Sequence, residues 1–558
     1  MASEKRVPIV VEGGKLVDGT GGKPLENSLI VIEGNRIKAI SQVGKIPHPA
    51  NATVINAKGK AVLPGLWDTH VHFRDWMAEL YLAHGVTTIL DLGSDSTPWI
   101  LAQRDGVAKG KIRGPRIFAC GAGIGHPPGR AGYVKDVAEA RALVKDMLER
   151  GVDAIKVWAY CTSEMLKVVA QEAHAAGRHV IGHLGVITGR DAALQGLDCL
   201  AHATGLPMSV VRDGEKAKWM LEQEIKRLQT MIIGEPGITA WGLFAMMEEE
   251  MFDEVAEFFV KEDVRIEPDF VYRWALASKK REEREYEDFV VYSDPRLSYI
   301  PEVNRWRNLR SWQVYRRLND QQLQELKEGY EKFVKFLHRF VKAGGKLDIG
   351  TDTSDGRMPG KGVHRELAFL VDAGFSPSDI IMWATKGSAE FLDKGKELGT
   401  VEQGKIADLI IINGDPLKDI TELKNIEVVI KEGELVDTGY HPDYSNPLPM
   451  PFKGVIHAYP KPKITDMSPE IVAEGDEEVA VKVEGEGFVN GSVVEFGGNR
   501  VSTRVVSGKQ IEAKIPGRFV GKVGTYMVVV VNPGPVSIRD PLHEDERSNP
   551  VYFMVKFK

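Results

Sequence analysis

Cysteine is nearly missing: Cys120, Cys161 and Cys199 are the only three in 558 residues. Widely spaced, odd in number and without a CxxC pair, they exclude a disulfide framework and a zinc ribbon, and they read as buried reduced thiols. A cationic surplus is missing too. The 72 Lys and Arg face 79 Asp and Glu, a net charge of -7 spread along the chain, so no basic face invites nucleic acid or an anionic membrane. No apolar run approaches the roughly 18 residues of a membrane span, and the opening "MASEKRVPIVVEGG" passes into strand-like sequence without a signal-peptide core. The expectation is a chain without a membrane span, cytoplasmic by default, and secreted or periplasmic if a signal sequence was removed. A small molecule or short peptide is the expected partner, with assembly into a homo-oligomer left open.

The chain is too long for one ordinary domain, and its texture changes along its length. Residues 6 to about 63 read as short strands with Gly and Asn turns. From Pro64, apolar strands alternate with amphipathic helices ("VTTILDLG", "RIFACG", "AEARALVKDMLERG", "DAIKVWAY", "HVIGHLG"), the pattern of a parallel sheet or barrel. Some 150 residues separate His202 from the next such strand, "KLDIGTD". This stretch is rich in Trp, Tyr, Arg and Glu at helical spacing and reads as a helical insertion over about 206–340, with "VRIEP" (264–268) as a further strand inside it. Packed aromatics under a solvated face explain it more simply than a binding platform; a lid or an oligomer contact is the functional alternative. After Gly399, β hairpins return and resemble the opening unit, so 1–63 and 399–437 are expected to form one small β-sandwich domain. A Pro-rich linker spans 438–462, and 463–558 alternates apolar and polar residues as an all-β sandwich does.

The chemistry gathers at strand ends. In "PGLWDTHVHFRDW", His70 and His72 have the i, i+2 spacing that sets two side chains on one strand face, within reach of one ion. A lone HxH is weak evidence, since packed histidines are common. His183 in "HVIGHLG", His202 in "LAHATG" and Asp352 in "DIGTDTSD" also close apolar strands, where a barrel collects its active-site residues. Lys156 in "GVDAIKVWAY" lies among buried residues, where an unpaired lysine is rare. It either snorkels, meets a carboxylate, or is held neutral by burial and adds carbon dioxide to give a carbamate able to bridge two metals. Four histidines, a carbamate and an aspartate suit a two-metal hydrolytic centre, with zinc the first guess.

The series "PGLWDTHVH", "GVTTILDLG", "AIKVW", "VIGHLG", "LAHATG", "GTD", "HRELAFLVDAGFSPSDIIMWATKGSAEFL" and "GTVEQGKIADLIII" resembles the metal-dependent amidohydrolase superfamily in its binuclear, carboxylated-lysine form, in order from about residue 7 to 437. Within it the chain is similar to the imidazolonepropionase-like group, which includes dipeptidases and hydrolases of N-acyl amino acids. The resemblance implies an α/β fold with a (β/α)8 TIM barrel over 64–398. It implies that His70, His72 and Asp352 hold the more buried of two divalent metals and His183 and His202 the more exposed one. Carboxylated Lys156 bridges them, and the metals share a hydroxide. Asp352 is then general base and general acid. The C-terminal module resembles an IPT/TIG immunoglobulin-like domain, which more often adds surface than chemistry.

The expected reaction is cleavage of an amide or peptide bond in a dipeptide or N-acyl amino acid. A cyclic amidase, or a lactonase or esterase on the same centre, is the alternative, and a non-enzymatic assembly scaffold is the rival from another class. Four residues are substrate-contact expectations. Arg74 shares a face with His70 and His72 if their strand extends that far; His126 and Arg130, in "GAGIGHPPGRAG", could overhang the site; Tyr272, with Arg273, follows "VRIEP". His364 and Glu366 are left outside the site, because a cap or salt bridge explains them as well as catalysis does.

Overall fold

Short runs buried on both faces, such as Val86–Asp91, are the signature of parallel strands covered on two sides. The computed structural model describes residues 6–94, 96–127, 131–230, 239–301, 304–305, 312, 315, 318–354, 357–450, 462–489, 491–532 and 546–558. These fall into two units, one ending at Met450 and one made of 462–558. The first is mixed α/β with several sheets.

Its parallel strands pair in chain order. Leu66–Val71, Val86–Asp91 and Arg116–Ala119 form one sheet; Ile155–Val157, Val180–Gly182, Cys199–Leu200 and Arg265–Ile266 form another. Isolated parallel bridges extend the pattern: Ile124 to Val157, Ile266 to Leu347, and Thr353 back to Val71. Helices such as Val137–Glu149 and Ser163–Ala175 lie between strands, started by Asp136 and Thr162, whose side chains accept the N–H groups of Glu139 and Met165.

Strands from both ends of the amidohydrolase-like region pair in one eight-stranded sheet, in which Ala61–Pro64 runs antiparallel to Leu409–Ile412. On it Ile9, Val11, Ile30 and Ile32 share an apolar cluster with Val62, Leu409 and Ile411. The segment 206–342 is helical around the short strand Arg265–Ile266. Its longest helix, Asp320–Lys342, starts with a reciprocal capping box between Asn319 and Gln322. That helix buries Phe333 against Phe244, Phe270 and Trp274, so its aromatics are core.

In the second unit a four-stranded sheet and a six-stranded sheet contribute to one apolar cluster, with Val481, Val483 and Ile511 from the first and Phe496, Val530 and Phe553 from the second. Residues 451–461 of the expected linker lie outside the described residues. Among the described residues no helix is long and apolar enough to cross a membrane.

Candidate metal centre

The carboxyl ends of these parallel strands converge on one buried cluster. His70 lies in Leu66–Val71 and Lys156 in Ile155–Val157; His183 follows Val180–Gly182, and His202 follows Cys199–Leu200. His72 lies just past its strand, pinned when its N–H donates to the Thr353 carbonyl (2.7 Å), and this register brings Asp352 alongside. His72 Nε2 and His70 Nε2 lie 3.1 and 3.6 Å from Asp352 Oδ1. Lys156 Nζ is 3.4 Å from His70 Nε2. The His202 ring is 4.5 Å from that of His70 and 5.0 Å from that of His183.

Two acids that the sequence reading missed complete the cluster. Glu267 accepts from His70 Nδ1 at 2.8 Å, and Asp269 Oδ2 accepts from His202 Nδ1 at 2.5 Å. The Gly93 carbonyl does the same for His72 Nδ1 at 3.0 Å. Each contact commits the Nδ1 proton outward and leaves Nε2 with its lone pair facing the cluster, which is how metal-binding histidines are oriented. His183 is held differently, its ring stacked on Trp158 at 4.8 Å and 11°. A signal for the two acids was present in "VRIEPDFVYR": residues 267 and 269 continue the alternation of the strand past its end.

Local backbone supports the arrangement. His202, Asp269 and Asp352 all adopt left-handed conformations, with φ of 55°, 47° and 45°. Such strain persists in non-glycine residues only when the surroundings hold it, and it concentrates at functional sites. Thr204 braces the His202 turn by donating to the Ala201 carbonyl (2.9 Å) and accepting from Leu184 N–H (2.7 Å). Arg357 braces Asp352 by donating to its carbonyl (2.7 Å).

Burial dominates the electrostatics. It holds His70, His183 and His202 well below the ordinary imidazole range and lowers the Lys156 ammonium. It pushes Asp68 up to about 8 and raises Glu267 and Asp269. Burial also opposes ionisation of Asp352, but the His72 hydrogen bond and the neighbouring imidazoles hold its carboxyl well below the usual range. The cluster is rich in buried acid and short of buried cation.

Those residues fit metal. Three overlapping groups bring one donor atom per residue within 4.8 Å of one another: His70, His72 and Asp352; His70, His202 and Glu267; His202, Asp269 and Asp352, the last two including the acids that also hold an Nδ1. His183 Nε2 is buried without a hydrogen-bond partner, as expected of a nitrogen reserved for an ion. Nitrogen and oxygen donors of this kind suit zinc and similar divalent ions.

The substrate-contact expectations divide. Tyr272 is 40% exposed, and its ring lies 5.0 Å from that of His202, under the Arg357 guanidinium at 4.4 Å. Arg273 is buried, with its guanidinium over Phe244 and Tyr272. His126 is buried, its ring 4.6 Å from that of Trp158, whose indole also stacks on the His183 ring. The strand of His70 ends at Val71, and Arg74 lies past it with extended backbone, before a short turn, where its guanidinium donates to the Phe73 carbonyl. Arg130 lies outside the described residues.

Parallel strand ends gathering histidines and acids into a buried donor cluster define an α/β protein with a candidate metal-binding site. Residues 307–436 match the Amidohydrolase family, whose members generally use divalent metal ions. Ochratoxinase from Aspergillus niger is 24% identical over 499 residues, covering 76% of this chain and 86% of its own. Among solved structures, a Bifidobacterium longum protein assigned as a prolidase shares 25% identity with a TM-score of 0.57, covering 80% of this chain and 98% of its own. A Xaa-Pro dipeptidase with methionine bound in its active site shares 22% with a TM-score of 0.54, covering 77% and 100%. These likenesses support the amidohydrolase superfamily, and they indicate a hydrolase acting on carbon–nitrogen bonds. The fold neighbours imply a TIM barrel with an additional β domain.

Proposed function

We propose that the chain is a metal-dependent amidohydrolase that cleaves the amide bond of a dipeptide or N-acyl amino acid. The parallel pairings are read as a (β/α)8 barrel with its site at the carboxyl ends of the strands. His70, His72 and Asp352 would hold one divalent ion, His183 and His202 a second, and carboxylated Lys156 would bridge them, with zinc the first choice. The observation that carries this reading is Lys156. Its side chain has 0% exposure, so it does not snorkel; its hydrogen-bond partner among the described residues is His70 Nε2, and Glu267 and Asp352 act on it only as neighbouring charges that favour its protonated form. A buried amine left in that state is costly as an ammonium. As a neutral amine it adds carbon dioxide, forming an N–C bond and releasing one proton, and the resulting carbamate would stand beside the imidazoles and the buried acids, where bound divalent cations would balance its charge.

Divalent ions supply Lewis acidity, activating water and polarising the scissile carbonyl. The chain's own residues do the rest. Asp352, ionised and braced by Arg357, accepts the proton of the attacking water and delivers it to the leaving amine. Glu267 and Asp269 hold His70 and His202 in one tautomer, so neither ring needs to reorient during turnover. The dipeptide preference draws on the prolidase and dipeptidase neighbours. The C-terminal unit is read as an IPT/TIG-like surface module without chemistry of its own.

The test combines metal analysis with a product assay. About two equivalents of zinc or a similar ion per chain, with free amine released from a dipeptide and N-acyl amino acid library, support the reading. Acid release without amine would mark an ester or lactone substrate instead. A chain that stays metal-free after reconstitution with zinc and bicarbonate would remove the hydrolytic centre.

A further inference from the structure

Glu366 belongs to the helix Lys361–Asp372, and its side chain is fully buried. Both of its carboxylate oxygens are engaged: Oε1 accepts the Phe270 backbone N–H at 3.0 Å, and Oε2 accepts that of Val271 at 2.8 Å. These amides open the four-residue helix Phe270–Arg273, and the residue before them is Asp269. An aspartate at that position ordinarily turns its own carboxylate onto the first free amides of its helix. Asp269 makes no side-chain cap hydrogen bond to Phe270 or Val271: it stands in the left-handed region and points Oδ2 at His202 Nδ1, with the Tyr272 N–H near enough only to favour its ionised form. The capping is supplied by Glu366, from the helix that follows the Asp352 loop.

We propose that Glu366 is a positioning residue of the metal centre: by capping the Phe270 turn from another helix, it frees Asp269 to hold the His202 imidazole. The same turn sets Tyr272 against His202. This inference rests on the reading of His202 as a metal ligand. A cap that served stability alone would have no preference for where Asp269 points.

The decisive variant is Glu366→Gln. Its amide keeps the volume but offers one acceptor and sets an NH2 group against the second backbone N–H, so Asp269 is drawn back to its own helix. The full-length protein is purified with its metal, dialysed against graded chelator, and its metal equivalents per chain are counted by elemental mass spectrometry. Wild type is expected to keep two. Glu366→Gln should keep about one, with the weaker ion lost at roughly tenfold lower chelator. Asp269→Asn should behave alike, and the double variant should lose no more than Asp269→Asn alone, because both act through one contact. Phe336→Ala, a core truncation in the helix Asp320–Lys342, serves as the control; it should melt earlier yet keep both ions. Glu366→Asp, which withdraws the charge by one methylene, is read in parallel, so a folding failure of one variant leaves the other to decide. Wild-type chelator resistance in a folded Glu366 variant, or additive losses in the double variant, overturns the inference alone. A wild-type chain that binds no metal overturns the reading of the centre, and this inference with it.

Discussion

At the scale of single residues, the four histidines of the cluster are held by three kinds of partner: a carboxylate for His70 (Glu267) and His202 (Asp269), a backbone carbonyl for His72 and the Trp158 face for His183. Glu267→Gln replaces an acceptor with an amide that can turn its NH2 toward Nδ1. It should weaken metal binding by about 10- to 100-fold without unfolding the chain, measurable by chelator competition and circular dichroism. Lys156→Ala removes the proposed bridge. Metal content should fall from about two equivalents to one or fewer, activity should drop at least about 100-fold, and the melting curve should stay cooperative. A resonance from carbon-13 bicarbonate, present in wild type and lost in this variant, would identify the carbamate; full metal loading and activity in Lys156→Ala would refute it. The histidines and Asp352 were legible because each ends an apolar strand in the sequence. Glu267 and Asp269 were less so: their alternation in "VRIEPDF" set them on one face, but the Pro between them reads as the end of the strand and the start of an ordinary polar turn.

At the scale of elements, the helix Asp320–Lys342 does more for the site than its charged sequence suggests. Phe333 is fully buried against Phe270 and Trp274, which flank the turn carrying Tyr272. Phe333→Ala should cost about 3–5 kcal/mol in chemical denaturation, the usual loss for truncating a buried aromatic. Asn319→Ala, which breaks the reciprocal cap with Gln322, should cost only about 1 kcal/mol. A Phe333 variant no less stable than wild type would mean that the insertion packs differently. Helical spacing made these elements visible as helices. It did not separate a packed aromatic from an exposed one: Tyr286 and Phe289, in the helix Arg281–Tyr292, point to solvent although they share the composition of the buried set.

At the scale of the whole molecule, metal and fold are linked by mass action. Ions bound by the folded chain alone stabilise it by roughly 4 kcal/mol each at a free concentration a thousandfold above Kd. Chelation should therefore lower the melting temperature, and added zinc should restore it; a melting curve indifferent to chelator would argue against tight sites. The described donor residues all lie before Met450, and the second unit has its own core. The sequence by itself determined which segments are strands and helices, because the period of apolar residues sets which side chains can be buried together. It also determined that imidazoles, a lysine and an aspartate end those strands. Only the tertiary structure decided that strands from residues 61–64 and 409–412 pair, and that Glu366 releases Asp269 for His202. Those outcomes turn on register and on contacts between residues about 70 to 350 positions apart, where local periodicity carries no information and the close packing of the interior chooses among the alternatives.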